Sequence, residues 1–272
     1  MLKKLAIIQF PGSNCEYETK EAASYYGFDA DIVSWNTDAS TLLKYDVFVL
    51  PGGFSFQDRV RAGAVSAKLP VIQTLKQVSA EGRPILGICN GCQILSETGL
   101  VPDLEGKGKI EIALAPNTKN DEAFGFLCEW VFVKVKNPKQ NVFTRYFEES
   151  DVLPIPVNHG EGRFIISDEI DIFKEDIALI QYCNAAGELI STYPVNPNGT
   201  QHNIAAISNK KGNVLAIMPH PERASFLHQI PNTIDSDWCL KKQAAFSQGY
   251  KETSGPWEKL FISVKEDKLS CV

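Results

Sequence analysis

Four short apolar runs, residues 5–10, 46–50, 84–88 and 214–218, each stop at glycine, proline or polar residues. Runs of that length and sharpness read as buried strands. Between them lie segments with helical spacing, including residues 16–26, 71–80 and 91–98, so the first hundred residues alternate strand and helix. The alternation predicts an α/β fold: a doubly wound, mostly parallel sheet with helices on both faces, of the flavodoxin-like kind.

In such a sheet the loops leaving the carboxyl ends of the strands gather on one edge, where ligands bind. Pro11-Gly12-Ser13-Asn14, Pro51-Gly52-Gly53-Phe54-Ser55, Cys89-Asn90-Gly91 and Pro219-His220-Pro221-Glu222 all fall at such ends. From about 108 to 213 the pattern changes to strand-like runs, residues 109–114, 130–135 and 204–208, between turn-rich stretches. These predict antiparallel strands inserted into the parallel core. Residues 1–225 are expected to form one domain, and 226–272 a C-terminal extension of it, with a helix near 240–250 and an irregular tail.

Composition narrows the function. Lys and Arg number 27 against 33 Asp and Glu, a formal charge of −6, which opposes non-specific contact with nucleic acid or an anionic membrane. The apolar run near the N-terminus is too brief to span a bilayer and lacks a small-residue cleavage site, so a cytoplasmic location is expected. Seven scattered cysteines do not suggest a disulfide framework.

One cysteine stands apart. Cys89 lies between an apolar strand and a helical segment, with Gly87 and Gly91 two residues to either side. This Gly-x-Cys-x-Gly pattern is the cysteine version of a nucleophile elbow, a turn so tight that flanking side chains would collide with backbone. The helix that follows points unpaired N–H groups at the sulfur and favours the thiolate, the attacking species. The backbone N–H of Asn90 is then half of an oxyanion hole, and the Gly52-Gly53 loop is expected to supply the rest through Gly53. Cys89 and Cys92 also form a Cys-x-x-Cys pair, which leaves a dithiol open. A zinc site lacks its other half, since no second such pair exists.

A base is sought among four histidines, at 159, 202, 220 and 228. His220 follows an apolar strand on the same edge as the elbow, and Pro221 favours extended geometry that would align His220 with Glu222. A carboxylate beside an imidazole fixes its tautomer and supports its protonated form. His159, in Asn158-His159-Gly160-Glu161-Gly162-Arg163, reads as part of a loop near a ligand or interface, while His202 and His228 read as surface residues.

Gly87-Ile-Cys89-Asn-Gly-Cys-Gln93 together with His220-Pro-Glu222 resembles the class I (triad) glutamine amidotransferases. Further motifs, Phe10-Pro-Gly-Ser-Asn-Cys15, Pro51-Gly-Gly-Phe-Ser55, His159-Gly-Glu-Gly162, Asn196-Pro-Asn-Gly199 and Met218-Pro-His-Pro-Glu-Arg223, are similar to the glutaminase subunits of phosphoribosylformylglycinamidine synthase, the PurQ type. The resemblance implies Cys89 as nucleophile, His220 as base, Glu222 as its orienter, and Gly52, Phe54, Gln93, Ser13 and Asn14 around a glutamine substrate. It also implies ammonia delivery to a PurL-type synthetase subunit, bridged by a small PurS-type subunit. ATP and magnesium then belong to the synthetase, consistent with the absence of a Gly-x-x-x-x-Gly-Lys-[Ser/Thr] loop here, and no cofactor or metal is expected on this chain.

Two positions depart from the pattern: Cys92 stands where subunit-type relatives usually carry Phe, and Gln57 where Gly is common. The rival readings are a different class I amidotransferase, a γ-glutamyl or cysteine hydrolase of the same fold, and a non-catalytic regulator without an activated thiol.

Overall fold

The computed structural model describes residues 2–249 and 253–266. Its strands are β1 (Lys4–Gln9), β2 (Asp29–Ser34), β3 (Val47–Leu50), β4 (Ile85–Ile88), β5 (Ile112–Ala115), β6 (Thr118–Lys119), β7 (Glu122–Ala123), β8 (Leu127–Val135), β9 (Val152–His159), β10 (Arg163–Ile166), β11 (Ala178–Cys183), β12 (Ile204–Ser208) and β13 (Val214–Ile217). Its α-helices are α1 (Glu16–Tyr25), α2 (Ala39–Leu42), α3 (Val71–Ala80), α4 (Asn90–Thr98), α5 (Asp237–Ser247) and α6 (Glu258–Lys265).

Nine strands form one sheet in the order β2-β1-β3-β4-β13-β12-β11-β8-β9. The first five are mutually parallel and reproduce the expected doubly wound core. The remaining four pair antiparallel and continue the same sheet. All four residues of β3, β4 and β13 are buried, which is why their sequences are continuously apolar.

Helices cover both faces. Leu5, Val47, Val49 and Leu86 meet Leu260, Phe261 and Val264 of α6, while on the opposite face Gly87 abuts Leu95 of α4. The described residues after 226 are therefore not an irregular tail: α6 contributes to the core, and Trp257 is fully buried with its indole N–H donating to the Pro154 carbonyl at 3.1 Å. The expected helix near 240–250 is α5, beginning three residues earlier; Tyr250 lies outside the described residues.

The antiparallel strip curves back toward the parallel core. Its last strand, β9, offers the Pro156 carbonyl to the His220 backbone N–H at 2.9 Å and the Asn158 carbonyl to the Cys89 thiol at 3.6 Å. An edge strand four places from β13 in the sheet thus closes over the ends of β4 and β13.

Candidate active site

Cys89 and His220 are brought together by register. Ile88 of β4 lies beside Ile217 of β13, and the Cys89 N–H donates to the Ile217 carbonyl at 2.8 Å. Both chains then leave the sheet on the same edge. Cys89 has φ +50° and ψ −103°, a conformation that a non-glycine residue adopts only when its surroundings enforce it. The enforcement is visible in the flanking glycines. A Cβ on Gly91 would lie 1.9 Å from the Leu50 carbonyl oxygen, and one on Gly87 2.6 Å from the Gly91 carbonyl oxygen. No side chain fits at either position, so the helix can start directly under the sulfur.

His220 and Glu222 are both buried, with Nδ1 2.6 Å from Oε1. The pairing arises differently from the extended arrangement expected: Pro221–Arg223 is a short 3₁₀ turn, which folds the carboxylate back onto the ring. The Nε2 atom of His220 is buried and has no hydrogen-bond partner among the described residues. Burial by itself would lower the imidazole pKa, but the Glu222 carboxylate and then the Cys89 sulfur outweigh it and hold the pKa well above the ordinary value.

Cys15, quoted above only within a motif, sits behind this pair. Its sulfur lies 4.0 Å from His220 Nδ1 and accepts from the Arg223 guanidinium at 3.2 Å, and Arg223 is ion-paired with Glu18 at 3.0 Å. Burial raises the Cys15 thiol above its ordinary value. Cys15, His220 and Glu222 are a group of potential metal ligands with donor atoms within 4.8 Å of one another. The donors do not suit an ion, however. Tetrahedral zinc keeps nitrogen and oxygen ligands about 3.3 Å apart, whereas here they share a proton at 2.6 Å and a guanidinium already faces the thiol.

A cavity of about 150 Å³ opens beside Cys89, lined by Gly53, Phe54, Asp58, Ala62, Gln93, Phe126 and the Asn158 to Glu161 segment. A larger cavity of about 950 Å³ lies against α5 and the start of β9, and none of Cys89, His220 or Glu222 lines it. The small cavity is where the chemistry can occur, with room for an amino-acid-sized molecule.

Gly53, at φ +140°, forms a bridge with Ser13 through the Phe54 N–H to Gly12 carbonyl bond of 2.8 Å and the Asn14 N–H to Gly52 carbonyl bond of 3.2 Å. These bonds flank Gly53 and leave its own N–H outside the bridge. Asn90 is buried, its side-chain oxygen accepting from the Ser55 N–H at 3.2 Å and its amide donating to Gln93 at 3.0 Å. Gln93 lines the cavity and also donates to the Glu161 carbonyl at 2.7 Å.

Three expected substrate contacts are placed elsewhere. Ser13 accepts from the Phe10 N–H at 3.0 Å, and Asn14 accepts from the Cys15 thiol at 3.2 Å, so both shape the loop that pairs with Gly53 and neither lines the cavity. Gly52 is packed between His220 and Cys15, where a Cβ would come within 2.8 and 2.9 Å of them. Asp58 is a cavity residue to which the sequence reading gave no role, whereas Asn158, His159 and Glu161 line the cavity within the segment expected to lie near a ligand or interface. The His-Gly-Glu-Gly motif was the available signal.

Cys92 is fully buried, and burial, reinforced by Cys89, raises its thiol well above the ordinary value. It is packed as a small apolar residue, not presented to the cavity. His202 and His228 are exposed, as expected.

A cysteine on a strained elbow with a small cavity beside it, and a buried His–Glu pair following the next strand, fit a triad amidotransferase site. The chain belongs to that class: residues 3–265 match the CobB/CobQ-like glutamine amidotransferase domain family. Within it, the chain belongs with the PurQ subunits of phosphoribosylformylglycinamidine synthase. It is 41% identical over 270 residues to that subunit of Methanothrix thermoacetophila, covering 96% of this chain and 97% of the relative. It is 43% identical over 230 residues to that of Aquifex aeolicus, covering 82% and 91%. Among solved structures it resembles a chain of PurLQS from Thermotoga maritima, with TM-score 0.70, 29% identity and coverage of 97% and 98%. Among the described residues, no helix is long and apolar enough to cross a membrane.

Proposed function

We propose that this chain is the glutaminase subunit of a phosphoribosylformylglycinamidine synthase, hydrolysing glutamine at Cys89 and passing the ammonia to a synthetase partner in purine biosynthesis. The observation that carries the reading is the strained Cys89 held next to a buried His220 whose Nδ1 is committed to Glu222 and whose Nε2 is left without a partner.

Sulfur attack on the side-chain amide carbon forms a C–S bond and a tetrahedral oxyanion, which rests on the N–H groups of Asn90 and Gly53. The His220 imidazolium gives its proton to the amide nitrogen, the C–N bond breaks, and ammonia leaves. His220, now neutral, takes a proton from water as its oxygen attacks the thioester. The C–S bond breaks, glutamate departs and the thiolate–imidazolium pair is restored. Throughout, Glu222 holds the ring in one tautomer.

ATP and magnesium act on the synthetase subunit, a PurL-type chain bridged by a PurS-type chain, and the tested unit is the assembled complex in the cytoplasm. Cys89→Ala abolishes synthesis from glutamine and leaves synthesis from added ammonia intact; loss of both would contradict this division of labour. Free subunit hydrolyses glutamine more slowly than complexed subunit, since unguarded release wastes ammonia. Equal rates would remove that gating.

A further inference from the structure

Cys89 and His220 follow the ends of β4 and β13; a second concave surface lies on the opposite edge, where those strands begin. Three segments build it: the end of α3, the loop of residues 100–108 after α4, and the turn of residues 209–211 between β12 and β13. Hydrogen bonds fix them to one another. The Lys210 N–H donates to the Pro102 carbonyl at 2.9 Å, and the Asn213 side-chain amide donates to the Ser79 and Arg83 carbonyls at 3.0 and 2.9 Å. The cleft they form has a volume of about 560 Å³, in the range of small-molecule sites.

Its walls are cationic in an acidic chain. Lys76, Lys107, Lys210 and Lys211 line it against a single acid, Asp103, in a protein of formal charge −6. The Asp103 carboxylate is engaged in holding the loop, accepting from the Gly108 N–H at 2.8 Å. Lys107 and Lys210 are paired with Glu105 and Glu175 at 2.7 and 2.8 Å. Lys76 and Lys211 have no carboxylate partner among the described residues; Lys211 gives one N–H to the Ala80 carbonyl at 2.6 Å, and Lys76 is half-buried with its ammonium beside Gly108. Leu100, buried, and Leu104, half-buried, add an apolar surface between these charges. A cleft of one sign with low-dielectric walls focuses its field and concentrates the opposite charge.

We propose that this cleft binds a small phosphorylated metabolite of about nucleoside-monophosphate size, its phosphate held by Lys76 and Lys211 and its apolar body resting on Leu100 and Leu104. Ammonium groups are compact point charges that several can share around one phosphate dianion, whereas paired recognition of a carboxylate favours the arginine fork, and no arginine lines the cleft. A polyanion such as nucleic acid is disfavoured by the charge of the chain as a whole.

Isothermal titration of the full chain with AMP, inorganic phosphate and adenosine tests both halves of the cleft. AMP is expected to bind with Kd below about 1 mM, phosphate about 10-fold more weakly and adenosine not measurably. Raising NaCl from about 50 to about 200 mM weakens AMP several-fold. Lys76→Gln and Lys211→Gln each weaken it about 10-fold, the scale of a lost charged hydrogen bond, whereas Lys68→Gln, an exposed lysine outside the cleft, changes it less than about twofold. Thermal midpoints near that of wild type show that each variant is folded. Failure of AMP to bind wild type would overturn the proposal, as would equal binding of adenosine, or an affinity that folded Lys76→Gln and Lys211→Gln chains leave unchanged or that Lys68→Gln lowers as much. Because the cleft lies across the sheet from Cys89, none of these results touches the glutaminase reading.

Discussion

His220 and Glu222 meet at 2.6 Å with both side chains closed to solvent. A buried carboxylate in that position holds the imidazole protonated well above its ordinary range. Glu222→Gln therefore lowers the His220 pKa and slows thioester formation about 10²- to 10⁴-fold. Stopped-flow labelling of Cys89 by a glutamine analogue across pH measures both effects; an unchanged profile would remove Glu222 from the triad.

The same pair links stability to pH. Because the folded pKa of His220 is raised, its contribution is complete below the unfolded value near 6.5 and is lost as pH rises through the folded value. Denaturant midpoints of wild type should fall across that window relative to Glu222→Gln. Parallel curves for the two proteins would show that the pair carries no such linkage.

Cys92→Ala is expected to keep substantial glutaminase activity and to lose about 1 kcal/mol of stability through lost packing, since its thiol is buried away from the cavity. Inactivity in a folded Cys92→Ala protein would restore the dithiol reading.

Gly91→Ala places a methyl group 1.9 Å from the Leu50 carbonyl oxygen. Strand β3 or helix α4 must shift, at a cost of about 1–3 kcal/mol, and the sulfur moves with the helix. Thermal melting together with iodoacetamide reactivity at Cys89 should reveal both losses, and a wild-type rate would mean the elbow tolerates side chains.

Trp257→Ala empties a fully buried site and removes the bond to Pro154. A loss of about 3–5 kcal/mol is expected, in one cooperative transition with the rest of the chain if residues 226–272 belong to the same domain, as we propose. A separate low-temperature transition would make the extension an independent unit.

The parallel core was legible because its strands are buried on both sides and therefore uniformly apolar. Strand β2 was not, since Asp29, Asp31 and Ser34 give this edge strand a polar, partly exposed sequence. Strand β9 was obscured by Pro154 and Pro156, which break a strand pattern and are tolerated at a sheet edge. Cys89, His220 and Glu222 could be read from local motifs. Asp58 could not be placed in the site, because only folding brings residues 58 and 161 to one wall. Gln57 illustrates a subtler case: the resemblance leads one to expect glycine there, and the residue has φ +59°, the left-handed backbone that glycine adopts without strain.

Strand β9 has one further consequence. One of its carbonyls holds the main chain of residue 220, and the next carbonyl on the same side faces the sulfur of residue 89. A slide of this outer strand by a fraction of an ångström would reposition proton donor and nucleophile together, so force applied at the rim of the sheet reaches the reacting atoms without crossing the hydrophobic interior.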